Sequence, residues 1–441
     1  MFKMSRLNHL SRRRFLLGSV AGLAGLSLNA QSFAQQIGDA SPQIVIVGSG
    51  AAGISIANRL ARVLPNAKVT MVDRKETHYY WPGLTLVATG AWQKSKVLAD
   101  NGHYLPGNIH WIKEMAIEFD PDNKRLTTDT GRQVSYDFMV VATGVEYNYR
   151  AIEGMDTEAI GQKGLASVYH SPDAAARSWQ AIKRFSEQGG DGYFTLPATP
   201  IRCAGAPLKM TFLTLDRLKQ NGGFEKANMN FYAATNKLFG LPWFHEFIET
   251  RFKENGMDVE YRHELKAVDL DTQVATFENA AGEKVKKSYD LLHVVPPMRA
   301  PSSVRHSNLA WQEGNMASGG WLAVDKSTLQ HVRYPEVFGC GDVNGTPKGK
   351  TAATVKMSVP IVVENLLAVI SGNQPTADFN GYTSCPLLTQ FGAAMLVEFD
   401  YDGKLVPTYP FIDPHKESWL AWVMKDQLLK PTYIQMLKGN V

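Results

Sequence analysis

Three cysteines, Cys203, Cys340 and Cys385, stand in a chain of 441 residues. That excludes a scaffold built on disulfides and leaves one pair with one odd thiol as the simplest arrangement. No zinc-type CxxC, no HExxH and no Ser/His/Asp constellation stands at readable spacing. Hydrolytic and metal chemistry are thereby set aside, and no metal site is expected. The sequence shows no internal repeat, and no low-complexity tract follows the first residues. No spanning segment is read either: the apolar run up to Leu28 falls short of the ~20 residues a membrane-crossing helix needs. Acids are missing from residues 1–34, which hold Lys3, Arg6, Arg12, Arg13 and Arg14. Setting those five bases aside leaves 41 basic against 42 acidic groups, so the formal charge of +4 on the whole chain says nothing for a nucleic-acid partner.

The N-terminus instead carries an address. "SRRRFLL" from Ser11 is followed by a Gly/Ala-rich apolar stretch and then by "SFA" at Ser32 to Ala34. Paired arginines, a short weakly hydrophobic segment and a small-residue cleavage site form the pattern of a twin-arginine export signal over residues 1–34. Such signals carry proteins already folded, often with a cofactor loaded. The expected location is the periplasm.

"QIVIVGSGAAGISIANRLARVL" reads as strand, glycine turn and helix, and "AKVTMVD" as the next strand. Gly48, Gly50 and Gly53, with Ala51 and Ala52 between them, form a GxGxxG loop, and Asp73 follows Gly53 by twenty residues, with Arg74 after it. Glycine is needed where the turn is tight, where backbone approaches a pyrophosphate and where helix meets strand, while the acid bonds a ribose hydroxyl. Two later segments extend the pattern. "YDFMVVATGVEYN" brings a strand into Thr143 and Gly144, and "YPEVFGCGDVNG" brings another into Gly341 and Asp342. "KTAATVKMSVPIVVENLLAVISG" then supplies a helix, bent near Pro360, whose start carries Lys350 and Thr351.

These segments predict an α/β protein with two Rossmann-like dinucleotide-binding domains and a C-terminal flavin-covering region. The expected division is a signal at 1–34, an FAD-binding domain in two parts (42–154 and 298–371), a second Rossmann-like domain at 155–297, and a C-terminal domain at 372–441. In the second domain "TPIRCAGAPLK" stands where a nicotinamide cradle would be expected, and it offers Cys203 in place of a glycine loop. NADH and NADPH are therefore expected to be poor reductants, which counts against an NADH dehydrogenase.

"HYYWPGLTLVATGAW", "TPIRCAGAPLK", "DLLHVVPPM", "TLQHVRYPEVFGCGD", "KTAATV" and "GYTSCPLLTQFGAAMLVEFDYDG", taken in order, resemble the mitochondrial-type branch of the sulfide:quinone oxidoreductases. The resemblance runs from about Gln43 to the C-terminus. It implies FAD, oxidation of sulfide at a cysteine pair, and electrons passed to a quinone. It departs in two places: Val343 stands where the branch usually has a cysteine after the Gly-Asp, and where the branch tends to continue past its last helix into a hydrophobic membrane-binding tail, this sequence ends at "YIQMLKGNV". A related family, the flavoprotein subunit of flavocytochrome c sulfide dehydrogenase, is exported and would use a cytochrome c as acceptor. Its flavin is attached through an early cysteine, and none precedes Cys203, so noncovalent FAD is expected. A third possibility is a non-catalytic flavin-binding module, suggested by Val343.

The resemblance makes Cys203 the first redox cysteine, with Arg202 and Lys209 as cations that favour its thiolate. Cys340 is the expected partner because it ends the strand that positions the flavin, and Cys385 is the fallback. The flavin contacts are expected from Gly48, Gly50, Ala51, Ala52, Gly53, Asp73, Arg74, Thr143, Gly144, Gly341, Asp342, Lys350 and Thr351. Lys350 would serve the pyrimidine edge, and His78, Tyr79, Tyr80 and Trp81 would wall the flavin or its acceptor, or simply fill the core. "SWLAWVMKDQLLKPTYIQMLKG" mixes Trp419, Leu420, Trp422 and Leu428 with lysines, as a peripheral membrane helix does.

Overall fold

The computed structural model describes residues 23–441, with side chains from residue 29. The arginines at 12–14 lie outside the described residues. A helix over Leu23–Ile37 ends where Gly38 takes φ +58°. No glycine or proline interrupts it after Gly25, so Ala34, the expected cleavage point, falls inside the helix rather than at a break. Asn29 Nδ2 donates to Glu364 Oε1 at 3.0 Å, fastening this helix to the long one over Ala352–Ile370.

Two parallel sheets dominate. The first runs in the order Val337–Gly339, Phe138–Val141, Gln43–Val47, Lys68–Val72, His110–Ile112. Its central strand buries Ile44, Val45, Ile46 and Val47 alike, the continuous apolar run of a strand covered on both faces. The second sheet runs Leu165–Ala166, Leu291–His293, Gly190–Leu196, Ala227–Ala233, Asp258–Tyr261. The first sheet thus draws strands from both sides of the second in the chain. After the helix Ala352–Ile370 come an antiparallel hairpin, Thr383–Gln390 with Ala393–Phe399, and a final helical segment: Trp419–Val423, a π-turn at Met424–Leu428 and Leu429–Leu437. The hairpin lies against the helix Ala206–Asn221, which follows the Cys203 loop.

Candidate functional site

A cleft partly open to solvent runs between the ends of the two sheets and the C-terminal segment. At one end stands the glycine loop. Gly48 has φ +113°, and a Cβ there would meet the Ala142 carbonyl oxygen at 2.4 Å. At Gly53 a Cβ would meet the Gly48 carbonyl oxygen at 1.8 Å, so the helix can seat on the turn only without a side chain. A Cβ at Gly50 would touch nothing within 4 Å. Gly50, Ala51 and Ala52 all face the cleft, and no side chain caps the helix that begins there. A bare helix N-terminus beside open backbone is an anion site, here for a pyrophosphate. The hydroxyl of Thr143 is buried without a partner next to Gly144, which lines the cleft with φ +73°. These features fit a dinucleotide such as FAD.

The other expected contacts divide. The Asp73 carboxylate accepts from Ser49 N (2.6 Å), Ser49 Oγ (2.9 Å) and Lys75 N (2.8 Å), so it clamps the glycine loop from behind. Arg74, expected at the cofactor, does not line the cleft. Its side chain is 60% exposed and pairs with Asp129 at 3.3 Å. Gly341, Asp342, Lys350 and Thr351 all line the cleft. The ammonium of Lys350, however, donates to the carbonyls of Asp342 (2.6 Å) and Asn344 (2.9 Å) and sits 3.6 Å from the Trp321 ring centre. Burial brings its pKa down to about 7. Lys350 therefore braces the turn that holds Asp342. Thr351 caps the helix Ala352–Ile370 through its hydroxyl.

The thiols are placed differently from the expectation. Cys203 adopts φ +51°, a left-handed conformation strained for a residue with a Cβ. Its N–H donates to Lys350 O at 2.8 Å, and its carbonyl accepts from Ala206 N at 2.7 Å, turning the chain into the helix Ala206–Asn221. The thiol brought beside the Cys203 loop is that of Cys385, on the hairpin, and the two thiols are electrostatically coupled. Gly205 makes this approach possible, since a Cβ there would lie 2.1 Å from Cys385 Sγ. Cys340, expected as the partner, lines the cleft from the first sheet. Its N–H continues the strand ladder to Val141 O at 3.0 Å, which turns its side chain under the helix Ala352–Ile370, 3.4 Å from Ser358 Oγ. Burial pushes the Cys340 thiol up to about 12.

The cations are also redistributed. Lys209, 3% exposed, donates to Cys203 Sγ at 3.4 Å. The neighbouring Cys385 thiol and the charges of Lys209 and Lys425 hold the Cys203 thiol well below the usual range, while the proximity of Cys203 and burial push Cys385 up. Of the two sulfurs, it is Cys203 that has the Lys209 ammonium beside it, which favours negative charge there. Arg202 turns away, ion-paired with Asp342, bonded to Tyr147 Oη (2.6 Å) and 4.6 Å from the Trp81 ring centre. Sequence reasoning missed Lys425. It is 2% exposed, comes from the π-turn, and is brought down to about 7, first by burial and then by Lys209. A lysine directly after the apolar run Trp419 to Met424 was the available signal. His78, Tyr79, Tyr80 and Trp81 line the cleft as a wall.

Residues 42–182 match the family model for the pyridine nucleotide-disulphide oxidoreductases. The mouse mitochondrial sulfide:quinone oxidoreductase is 34% identical over 397 residues, covering 90% of this chain and 86% of the mouse protein. The corresponding protein of Dictyostelium discoideum is 35% identical over 400 residues, with the same coverage of each chain. The crystal structure of the sulfide:quinone oxidoreductase of Aquifex aeolicus superposes with a TM-score of 0.74 at 20% identity, covering 91% of this chain and 92% of that one. With relatives above 30% identity along most of both chains, this chain belongs to the sulfide:quinone oxidoreductase family.

Proposed function

We propose that Cys203 and Cys385 are the redox pair of an FAD-dependent sulfide:quinone oxidoreductase, and that Cys340 is structural. The observation that carries this reading is the placement of the Cys385 sulfur against Gly205, in the turn that follows Cys203, with the buried ammonium of Lys209 3.4 Å from Cys203 Sγ. In the oxidised protein the pair would be a disulfide. HS⁻ attacks the Cys385 sulfur, forming a Cys385 persulfide and releasing Cys203 as a thiolate, and no further atoms are required. The direction follows from leaving-group acidity: the thiol with the lower pKa departs more readily. Lys209 and Lys425 stabilise the released negative charge, and the Tyr79, Tyr80 and Trp81 wall limits water. Held against Gly48, Gly50, Gly144, Gly341 and Asp342, FAD would supply the two-electron acceptor for this chemistry.

The reading as a non-catalytic module rested on Val343. With Cys385 beside Cys203, a cysteine at 343 is not needed to complete a pair. Anaerobic addition of sulfide to the yellow protein should bleach the flavin within seconds, and equimolar NADH should not. An unchanged spectrum with sulfide removes the proposal.

For the acceptor, Pro386, Leu396, Ala421, Met424 and Leu429 make an apolar stretch of the cleft. Nearby in the chain, Trp419 is 70% exposed and Phe411 65%, with Leu420 and Leu428 also outside. Exposed apolar side chains next to an apolar opening support peripheral docking on a bilayer from which a quinone enters. The helix Ala352–Ile370 has the length and apolarity to cross a membrane, but 72% of it is buried inside the protein, as a core helix is. The mouse and Dictyostelium relatives are mitochondrial by name. For this chain, export to the periplasm is proposed from its own N-terminal arginines. Recovery of activity only in a soluble fraction coupled to cytochrome c would favour the cytochrome-linked alternative.

A further inference from the structure

A buried chain of side chains joins the last helix to the glycine loop. Tyr433, on Leu429–Leu437, is 8% exposed, and its hydroxyl lies 2.7 Å from His78 Nε2. His78 Nδ1 lies 2.7 Å from Asn101 Oδ1. Asn101, fully buried, spends its amide group on Ser49 Oγ (2.9 Å) and Lys75 O (2.6 Å). Ser49 in turn bonds Asp73, and it sits between Gly48 and Gly50.

The direction of every bond follows from this inventory. Both amide hydrogens of Asn101 are used on oxygens, so its carbonyl must accept, and His78 Nδ1 must carry the ring proton. His78 Nε2 is then an acceptor, and Tyr433 must donate to it. Burial lowers the His78 pKa to about 4, in keeping with a neutral ring. Ser49, His78, Asn101 and Tyr433 all line the cleft.

We infer that Tyr433 and His78 are positioning residues for the dinucleotide cofactor, so that FAD retention and docking of the C-terminal helix form one coupled equilibrium. The inference rests on the FAD-binding reading and is independent of the cysteine chemistry. Fixing Ser49 fixes the backbone of the loop that meets the pyrophosphate. Losing the Tyr433 hydroxyl leaves a buried ring nitrogen unpaired, and the loop is then held from one side only. The coupling must be reciprocal: FAD that favours the ordered loop must also favour the docked helix.

The test uses the full-length holoenzyme and needs no sulfide. Tyr433→Phe keeps the ring that packs edge-on to Tyr80 at 4.9 Å and removes only the hydroxyl. FAD dissociation constants, read from flavin fluorescence on release, should rise about tenfold in Tyr433→Phe. His78→Gln should do likewise, and the double variant should bind no more weakly than the worse single one. Should His78→Gln fail to fold, Asn101→Asp takes its place in the cycle. Stripping FAD from the parent should raise amide exchange over 429–437, and the rise should largely vanish in Tyr433→Phe. FAD affinity in Tyr433→Phe within about twofold of the parent, or single effects that multiply in the double variant, would overturn the inference. A parent protein that binds no FAD would instead remove the cofactor reading itself.

Discussion

The two strand-loop-helix units of this chain are built on one plan and serve opposite ends. In the first, Gln43–Val47 passes through Gly48 to Gly50 into the helix Ala51–Val63. In the second, Gly190–Leu196 passes through a longer loop into Ala206–Asn221. Both helices start without a side-chain cap at the cleft. The first loop strips away side chains so that backbone N–H groups can meet a phosphate. The second keeps a side chain, Cys203, just ahead of the helix N-terminus, where the partial positive charge favours a thiolate. Both loops need glycine for close approach, but to different neighbours: Gly53 to the backbone of its own turn, Gly205 to the sulfur of Cys385. One architecture thus opens either to a cofactor phosphate or to a sulfur, depending on which atom the glycine admits.

That contrast can be broken from either side. The largest expected effect is at the thiols: Cys203→Ser and Cys385→Ser should each retain FAD yet lose sulfide-driven flavin bleaching by on the order of a thousandfold or more, measured by anaerobic stopped flow. Next comes the phosphate loop. Gly53→Ala should destabilise the protein by about 3 kcal/mol in chemical denaturation and yield colourless protein, because the new Cβ meets a carbonyl that cannot move aside.

A smaller change is expected from Lys209→Met. In the reduced enzyme, alkylation of Cys203 should need a pH about one unit higher than in the parent. The sign for stability follows from the depressed Cys203 pKa. The thiolate's contribution is present above the ordinary thiol range and is lost as pH falls through the folded value, so the reduced parent should lose stability on acidification more than Lys209→Met does. The smallest effect belongs to Cys340→Ser, whose bleaching rate should stay within about twofold of the parent's. A loss there comparable to that in Cys385→Ser would reverse the assignment of the pair.

Much of this was set by the sequence alone, because it depends on neighbours in the chain. A continuous β-branched run makes a buried parallel strand, glycines at Gly48 and Gly53 permit one particular turn, and a threonine before an apolar stretch caps a helix. The loop that carries Cys203 was legible for the same reason, as a place where a glycine cradle is missing. Which thiol meets Cys203 was not legible. Cys340 and Cys385 are both remote from it in sequence, and the choice depends on the face of a strand and on where a C-terminal hairpin lands against the helix after Cys203. The exchange between Arg202 and Lys209 has the same origin. Both flank the thiol in sequence, but Asp342, brought in by the other sheet, draws Arg202 away and leaves the sulfur to Lys209 and to Lys425 from the far end of the chain. Local dihedral and burial preferences are written residue by residue, whereas the partners of a buried charge or sulfur are decided only when distant elements pack.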